Sequence, residues 1–138
     1  MIYYAVIDTN VLVSALLTGN ADAATVQVVD RLFDGDIVPL LSTDILSEYE
    51  EVLKRRKFRF PASMVDVLLE SLKRNGKMVE TVDAGYTLPD MKDLPFYLAA
   101  LDKRSAGAYL VTGNLKHFPK EPFIVTPRGF LDIIGTKR

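Results

Sequence analysis

Along this chain, short continuous apolar runs alternate with stretches in which apolar residues return every three or four positions. Nothing else in the sequence restricts the fold as tightly. Residues 2–7 form a run rich in strand formers, the pattern of a strand buried on both faces. Runs at 37–41, 78–82, 109–112 and 123–125 read as four further strands. Between them the helical period takes over. A short helix is expected over 10–17, with Thr9 or Asn10 as cap, and a second carries Val26, Val29, Leu32 and Phe33 until Asp34-Gly35-Asp36 stops it. Ser42-Thr43-Asp44 caps a helix reaching about residue 56. Pro61 opens another, whose Met64, Val65, Leu68, Leu69 and Leu72 share a face until Asn75-Gly76 ends it. A loop over 90–95 leads into a helix ending near 103, and 130–134 makes a last short one. Strands alternating with helices imply a parallel sheet covered on both faces, with its binding crevice at the carboxyl ends of the strands. No repeat or linker divides the 138 residues, so one α/β domain, 1–138, is expected.

Composition removes several classes of function. There is no cysteine, hence no disulfide, thiolate nucleophile or cysteine zinc site. No apolar run approaches the ~20 residues that span a bilayer, and the opening residues lack the regions of a secretory leader. A cytoplasmic protein without membrane contact is expected. A net charge of −1 argues against nonspecific coating of nucleic acid but leaves room for a local basic footprint. Lys54, Arg55, Arg56, Lys57 and Arg59, interleaved with Phe58 and Phe60, are such a run. A helix dipole accounts for cations there, and so does contact with an RNA backbone. Neither a P-loop nor a G-x-G-x-x-G cradle is present. Asp8-Thr9-Asn10 lacks the second aspartate of haloacid-dehalogenase-like phosphatases, and Ser14, Ser42 and the single histidine, His117, make no triad. His117 reads as a structural hydrogen-bonder or a contact to substrate phosphate, not as a metal ligand.

The acids are more informative. Asp8 follows the first strand, where it serves either as a turn or cap residue or as a carboxylate at the crevice. Glu48 lies about 60° from Ile45 around its helix, at the edge of the apolar arc, so it either reaches out to water or needs a partner or a metal. Asp93, before Leu94-Pro95, suits a helix cap, and Asp90 suits either loop surface or a second carboxylate on the same ion. Asp8 and the helix preceded by Asp93 can both face the crevice. Clustered carboxylates repel one another unless a cation neutralises them, and hard divalent ions are the natural solution.

Four stretches resemble a known family. Val6 to Leu16, V-I-D-T-N-V-L-V-S-A-L, is similar to the first motif of PIN-domain nucleases. Ser47-Glu48-Tyr49-Glu50-Glu51-Val52-Leu53, closing on Arg56-Lys57-Phe58, resembles the second motif in the branch of PIN-family toxins, the VapC-like ribonucleases. Asp90-Met91-Lys92-Asp93-Leu94-Pro95-Phe96 resembles that branch's third motif. Val111-Thr112-Gly113-Asn114-Leu115-Lys116-His117-Phe118-Pro119, with Val125-Thr126-Pro127-Arg128, resembles its C-terminal signature.

The resemblance implies a three-layer α/β/α sandwich with a parallel central sheet and Mg²⁺- or Mn²⁺-dependent hydrolysis of RNA phosphodiesters. It carries catalytic and metal-binding roles onto Asp8, Glu48 and Asp93, with Asp90 as an auxiliary metal ligand. Thr9, Asn10, Thr112, Asn114, Lys116 and His117 become supporting or substrate-orienting groups. It implies a cognate antitoxin protein and a homodimer as partners. One departure stands out, since many PIN nucleases have an aspartate where this chain has Asn114. Two other readings follow: a weakened PIN fold that binds RNA or protein without cutting, and a metal-dependent phosphohydrolase with another substrate.

Overall fold

The computed structural model describes residues 2–135. The N-terminal apolar run becomes β1 (Tyr3–Ile7), followed by α1 (Thr9–Leu17), α2 (Ala24–Asp34), β2 (Ile37–Leu41), α3 (Thr43–Leu53) and α4 (Ala62–Asn75). Then come β3 (Lys77–Met78), α5 (Leu94–Asp102), β4 (Tyr109–Val111), β5 (Ile124–Val125) and α6 (Pro127–Ile134). The strands form one sheet in the order β3-β2-β1-β4-β5, every pair parallel. Helices flank it as an α/β/α sandwich, the arrangement expected from the alternating periods. Ala5, Val6, Ile7, Leu40, Leu41, Leu110 and Val111 are buried, as strands covered on both faces must be.

β1 sits in the middle, Tyr3 opposite Ile37 of β2 and Val6 opposite Leu110 of β4. The chain builds outward from β1 to β3 on one side and then from β4 to β5 on the other. The direction of winding therefore reverses between β1 and β4, and such a switch point leaves a crevice at the strands' carboxyl ends.

Several expected boundaries moved, each for a local reason. The third strand, expected over 78–82, has two residues. Leu41 turns its carbonyl toward β3, where it accepts from the Val79 N–H at 2.8 Å. Pro39, two residues earlier, has no N–H to offer, so the ladder begins only at Leu40 opposite Lys77, and it stops after Met78 because β2 ends at Leu41, where Ser42 caps α3. Beyond Val79 the chain turns polar, and Val82 is 81 % exposed. α3 is capped as expected, the Ser42 hydroxyl accepting from the Ile45 N–H at 3.2 Å. It stops at Leu53 instead of near 56 because Arg56 and Lys57, the next positions on its buried face, are charged. They enter a 3₁₀ turn, Arg56–Phe58.

α2 buries Val28 and Leu32, while Val26 lies at the flank and Phe33 is exposed. In α4, Val65, Leu68, Leu69 and Leu72 are core, and Met64 is outside it. α6 begins at Pro127, earlier than residue 130, because the Thr126 hydroxyl caps it by accepting from the Gly129 N–H at 3.0 Å. Among the described residues no helix is long and apolar enough to cross a membrane.

Candidate active site

Asp8 stands where β1 ends, inside the switch-point crevice. Its N–H donates to the Val111 carbonyl of β4 at 2.9 Å, which fixes the backbone, and its side chain is 5 % exposed. It occupies the cap position of α1 but makes no side-chain cap bond. Its Oδ2 accepts instead from the Thr112 hydroxyl at 2.7 Å. That hydroxyl, wholly buried, also accepts from the Asn114 N–H at 3.0 Å, so one threonine ties the turn after β4 to the acid after β1.

Glu48 reaches the same region from α3. Its Oε2 accepts from the Thr9 hydroxyl at 2.5 Å, which answers the need for a partner raised by its place on the helix. The neighbouring Tyr49 is buried, and its hydroxyl donates to the Ile7 carbonyl, joining the helix that carries Glu48 to the strand that carries Asp8. Asp93 ends a 3₁₀ turn, Met91–Asp93, leading into α5, and here too no cap bond forms. Its Oδ2 lies 3.0 Å from His117 Nδ1, while His117 Nε2 lies 3.0 Å from Asn114 Nδ2. A neutral imidazole with its proton on Nδ1 satisfies both contacts, donating to Asp93 and accepting from the Asn114 amide. Asp90 is exposed, and its Oδ1 accepts from the Lys92 N–H at 3.0 Å.

Several of these side chains border one cavity of ≈ 260 Å³. Asp8, Asp90, Asp93 and His117 supply its charged and titratable wall, with Thr9, Asn10 and Asn114 between them. Glu48 and Thr112 do not line it and are joined to it through their hydrogen bonds to Thr9 and Asp8. The rest of the lining is apolar, made of Val13, Val52 and Phe58. Lys116 lies elsewhere, in a separate hollow with Phe118, Pro119 and Lys120.

The carboxylates are held away from their ordinary behaviour. Burial pushes the Asp8 carboxyl up; the Thr112 hydroxyl opposes this, and the charge of Asp93 adds to it. Burial likewise raises Glu48, against the Thr9 hydroxyl and with the help of Asp8. Asp93 is raised by burial and by Asp90 and Glu48, while His117 draws it back. Among the described residues none of the three is ion-paired to a lysine or arginine. Arg55, the nearest candidate, pairs with Glu51 at 3.0 Å and offsets Glu48 only weakly. Such hard, uncompensated oxygens suit a divalent cation. No three acid or histidine side chains among the described residues are grouped to hold one ion by themselves. The donor set therefore suits an ion that takes one or two carboxylates and keeps several waters, as Mg²⁺ does.

Sequence reasoning missed the apolar wall and the tether from Tyr49. Tyr49 sits on the buried stripe of α3 and reads there as core; only the hydroxyl of an otherwise wholly buried tyrosine, which needs a partner, could have flagged it. Val13 and Val52 carried no signal of their own.

A sequence model of the PIN domain, whose members are generally nucleases, matches residues 4–116. That span contains the four acids, both threonines and Asn114, while His117 and α6 lie just beyond it. No curated protein matches the chain. The match runs through most of the sheet and every carboxylate of the crevice, and on it the chain belongs to the PIN domain family.

Proposed function

We propose that this chain is a Mg²⁺- or Mn²⁺-dependent endoribonuclease, acting as the toxin of a toxin–antitoxin pair. One observation carries the nuclease reading: carboxylates from three separate elements, Asp8, Glu48 and Asp93, gather at one cleft, and among the described residues no lysine or arginine is ion-paired to them. An RNA phosphodiester is itself anionic, so the cleft needs a cation even to admit its substrate. Asp8, Glu48 and Asp93 would hold that ion, one or two of them directly and the rest through its waters, with Asp90 at the rim. When bound, it supplies an acidified water and a charge to offset the leaving oxygen. The chain's own groups do the rest. Thr112 keeps Asp8 oriented and favours its ionised form, Thr9 does the same for Glu48, and His117 holds Asp93. Asn114 holds His117 in turn, which gives its amide work to do and favours a cutting enzyme over a weakened binding module.

The toxin role, the antitoxin and the homodimer rest on the four motifs in their order along the chain. Leu68 and Leu72 belong to the core, so a homodimer would use another surface.

The test is hydrolysis of a fluorogenic single-stranded RNA in EDTA and across Mg²⁺ and Mn²⁺ series. Cleavage should require the metal and fall to the blank in Asp8→Asn. Wild-type rates in that variant, or undiminished cleavage in EDTA, would defeat the reading. For the toxin role, induced expression should arrest growth with Asp8 intact and not in Asp8→Asn.

A further inference from the structure

The apolar residues of the cleft have no part in holding a metal or a phosphate, yet they line the same cavity as Asp8, Asp90 and Asp93. The largest of them is Phe58, half-buried at the end of the Arg56–Phe58 turn. In an extended strand residues 58 and 60 would face the same side, but here the chain is leaving a tight turn, where they would splay. Here Arg59 between them adopts φ 57, the one positive φ at a non-glycine residue among those described. That left-handed conformation is unfavourable for a side chain with a Cβ and persists only where its surroundings hold it. The outcome is two parallel rings, Phe58 on Phe60, with centroids 5.5 Å apart and planes at 13°. Phe60 packs against the core, so the outer ring has a firm backing.

Cations surround this ledge. Lys54 is committed to Asp66 at 2.7 Å and Arg55 to Glu51, whereas Arg56, Lys57 and Arg59 form no ion pair among the described residues. Lys57 places its ammonium 5.1 Å from the Phe58 centroid, a weak contact for an exposed lysine to give up. A fixed aromatic ring flanked by free cations is the combination that binds single-stranded nucleic acid: bases stack and phosphates pair with the charges. A base inside a duplex has both faces covered by its neighbours and cannot use such a ring.

Building on the ribonuclease reading above, we propose that Phe58, backed by Phe60, is a stacking platform for one unpaired nucleobase beside the cleaved phosphodiester, with Arg56, Lys57 and Arg59 holding adjoining phosphates. The chain contains no tryptophan, so Phe58→Trp places a single indole at the platform. In an Asp8→Asn background, which prevents cleavage, its emission should be quenched saturably by a single-stranded oligoribonucleotide of roughly ten residues and not by the blunt duplex of the same sequence. With Asp8 intact, Phe58→Leu should raise KM about 5- to 100-fold with little change in kcat, and Phe58→Tyr should keep the wild-type KM.

Equal quenching by the duplex, no quenching by the single strand, or a wild-type KM in Phe58→Leu would each overturn the platform. Quenching by the single strand alongside a wild-type protein that cuts no RNA would uphold the platform and remove the nuclease.

Discussion

Asp8 is pulled in opposite directions. Burial and the charge of Asp93 favour its protonated form, and the Thr112 hydroxyl favours the ionised one, with burial prevailing. The sign of the pH effect follows. A carboxyl whose folded pKa lies above its ordinary value adds stability that is complete below that value and is lost as pH rises through the folded one. Asp8 and Asp93 start from 3.8 and Glu48 from 4.5, and all three are raised. The metal-free protein should therefore lose stability as pH climbs from those values toward neutrality. Asp8→Asn should be the more stable protein at pH 7 in EDTA, with the advantage shrinking on acidification; urea unfolding across that range measures it. A variant weaker than wild type at neutral pH would mean that the repulsion is not felt. The acids themselves were legible from sequence, because a strand end and a helix edge are places that periodicity can locate. Their partners were not. The bond from Thr112 to Asp8 spans 104 residues, and only the folded sheet brings those residues together.

The elements themselves were legible wherever a run met its expected neighbours, and illegible where a neighbour intervened. Nothing within 78–82 announces that β2 ends opposite Met78, so the third strand looked longer than it is. Gly76 is a second instance. It ends α4, as an Asn-Gly pair does, but not by the left-handed cap that usually calls for glycine, for its φ is −96 and its ψ −177. The requirement is steric. A Cβ there would lie 2.6 Å from the Leu72 carbonyl oxygen and 2.7 Å from that of Pro39, both backbone atoms that cannot step aside. Gly76→Ala should thus cost about 1–3 kcal/mol, as overpacking does, by prising the end of α4 from β2. Gly35→Ala is the useful contrast, since Gly35 has open space and a φ of 87. Its cost would come from backbone strain and leave the α4–β2 packing intact. Thermal melts give the two costs, and hydrogen exchange at Leu41 and Val79 tells them apart. A fully protected Val79 in Gly76→Ala would contradict the steric account.

At the scale of the whole molecule, the sheet holds three like charges in one crevice, and a divalent ion should repay that strain on binding. An ion that binds only the folded protein adds about 2.7 kcal/mol at ~100 Kd, or roughly 9 °C in Tm for a chain of this length. Asp93→Asn should respond much less, because its carboxylate faces His117 and the cleft and makes no helix cap. Equal Tm shifts in the two proteins would take Asp93 out of the site. The same architecture has a consequence in time. β1 sits at the centre of the sheet, yet its flank toward the acids is completed by β4, about a hundred positions later. Parallel pairings so distant in sequence form late. On a ribosome, Thr112 follows Asp8 only after another 104 codons. Until then the growing chain carries half a cleft. On the ribonuclease reading proposed above, the chain stays unarmed until its later strands have been made.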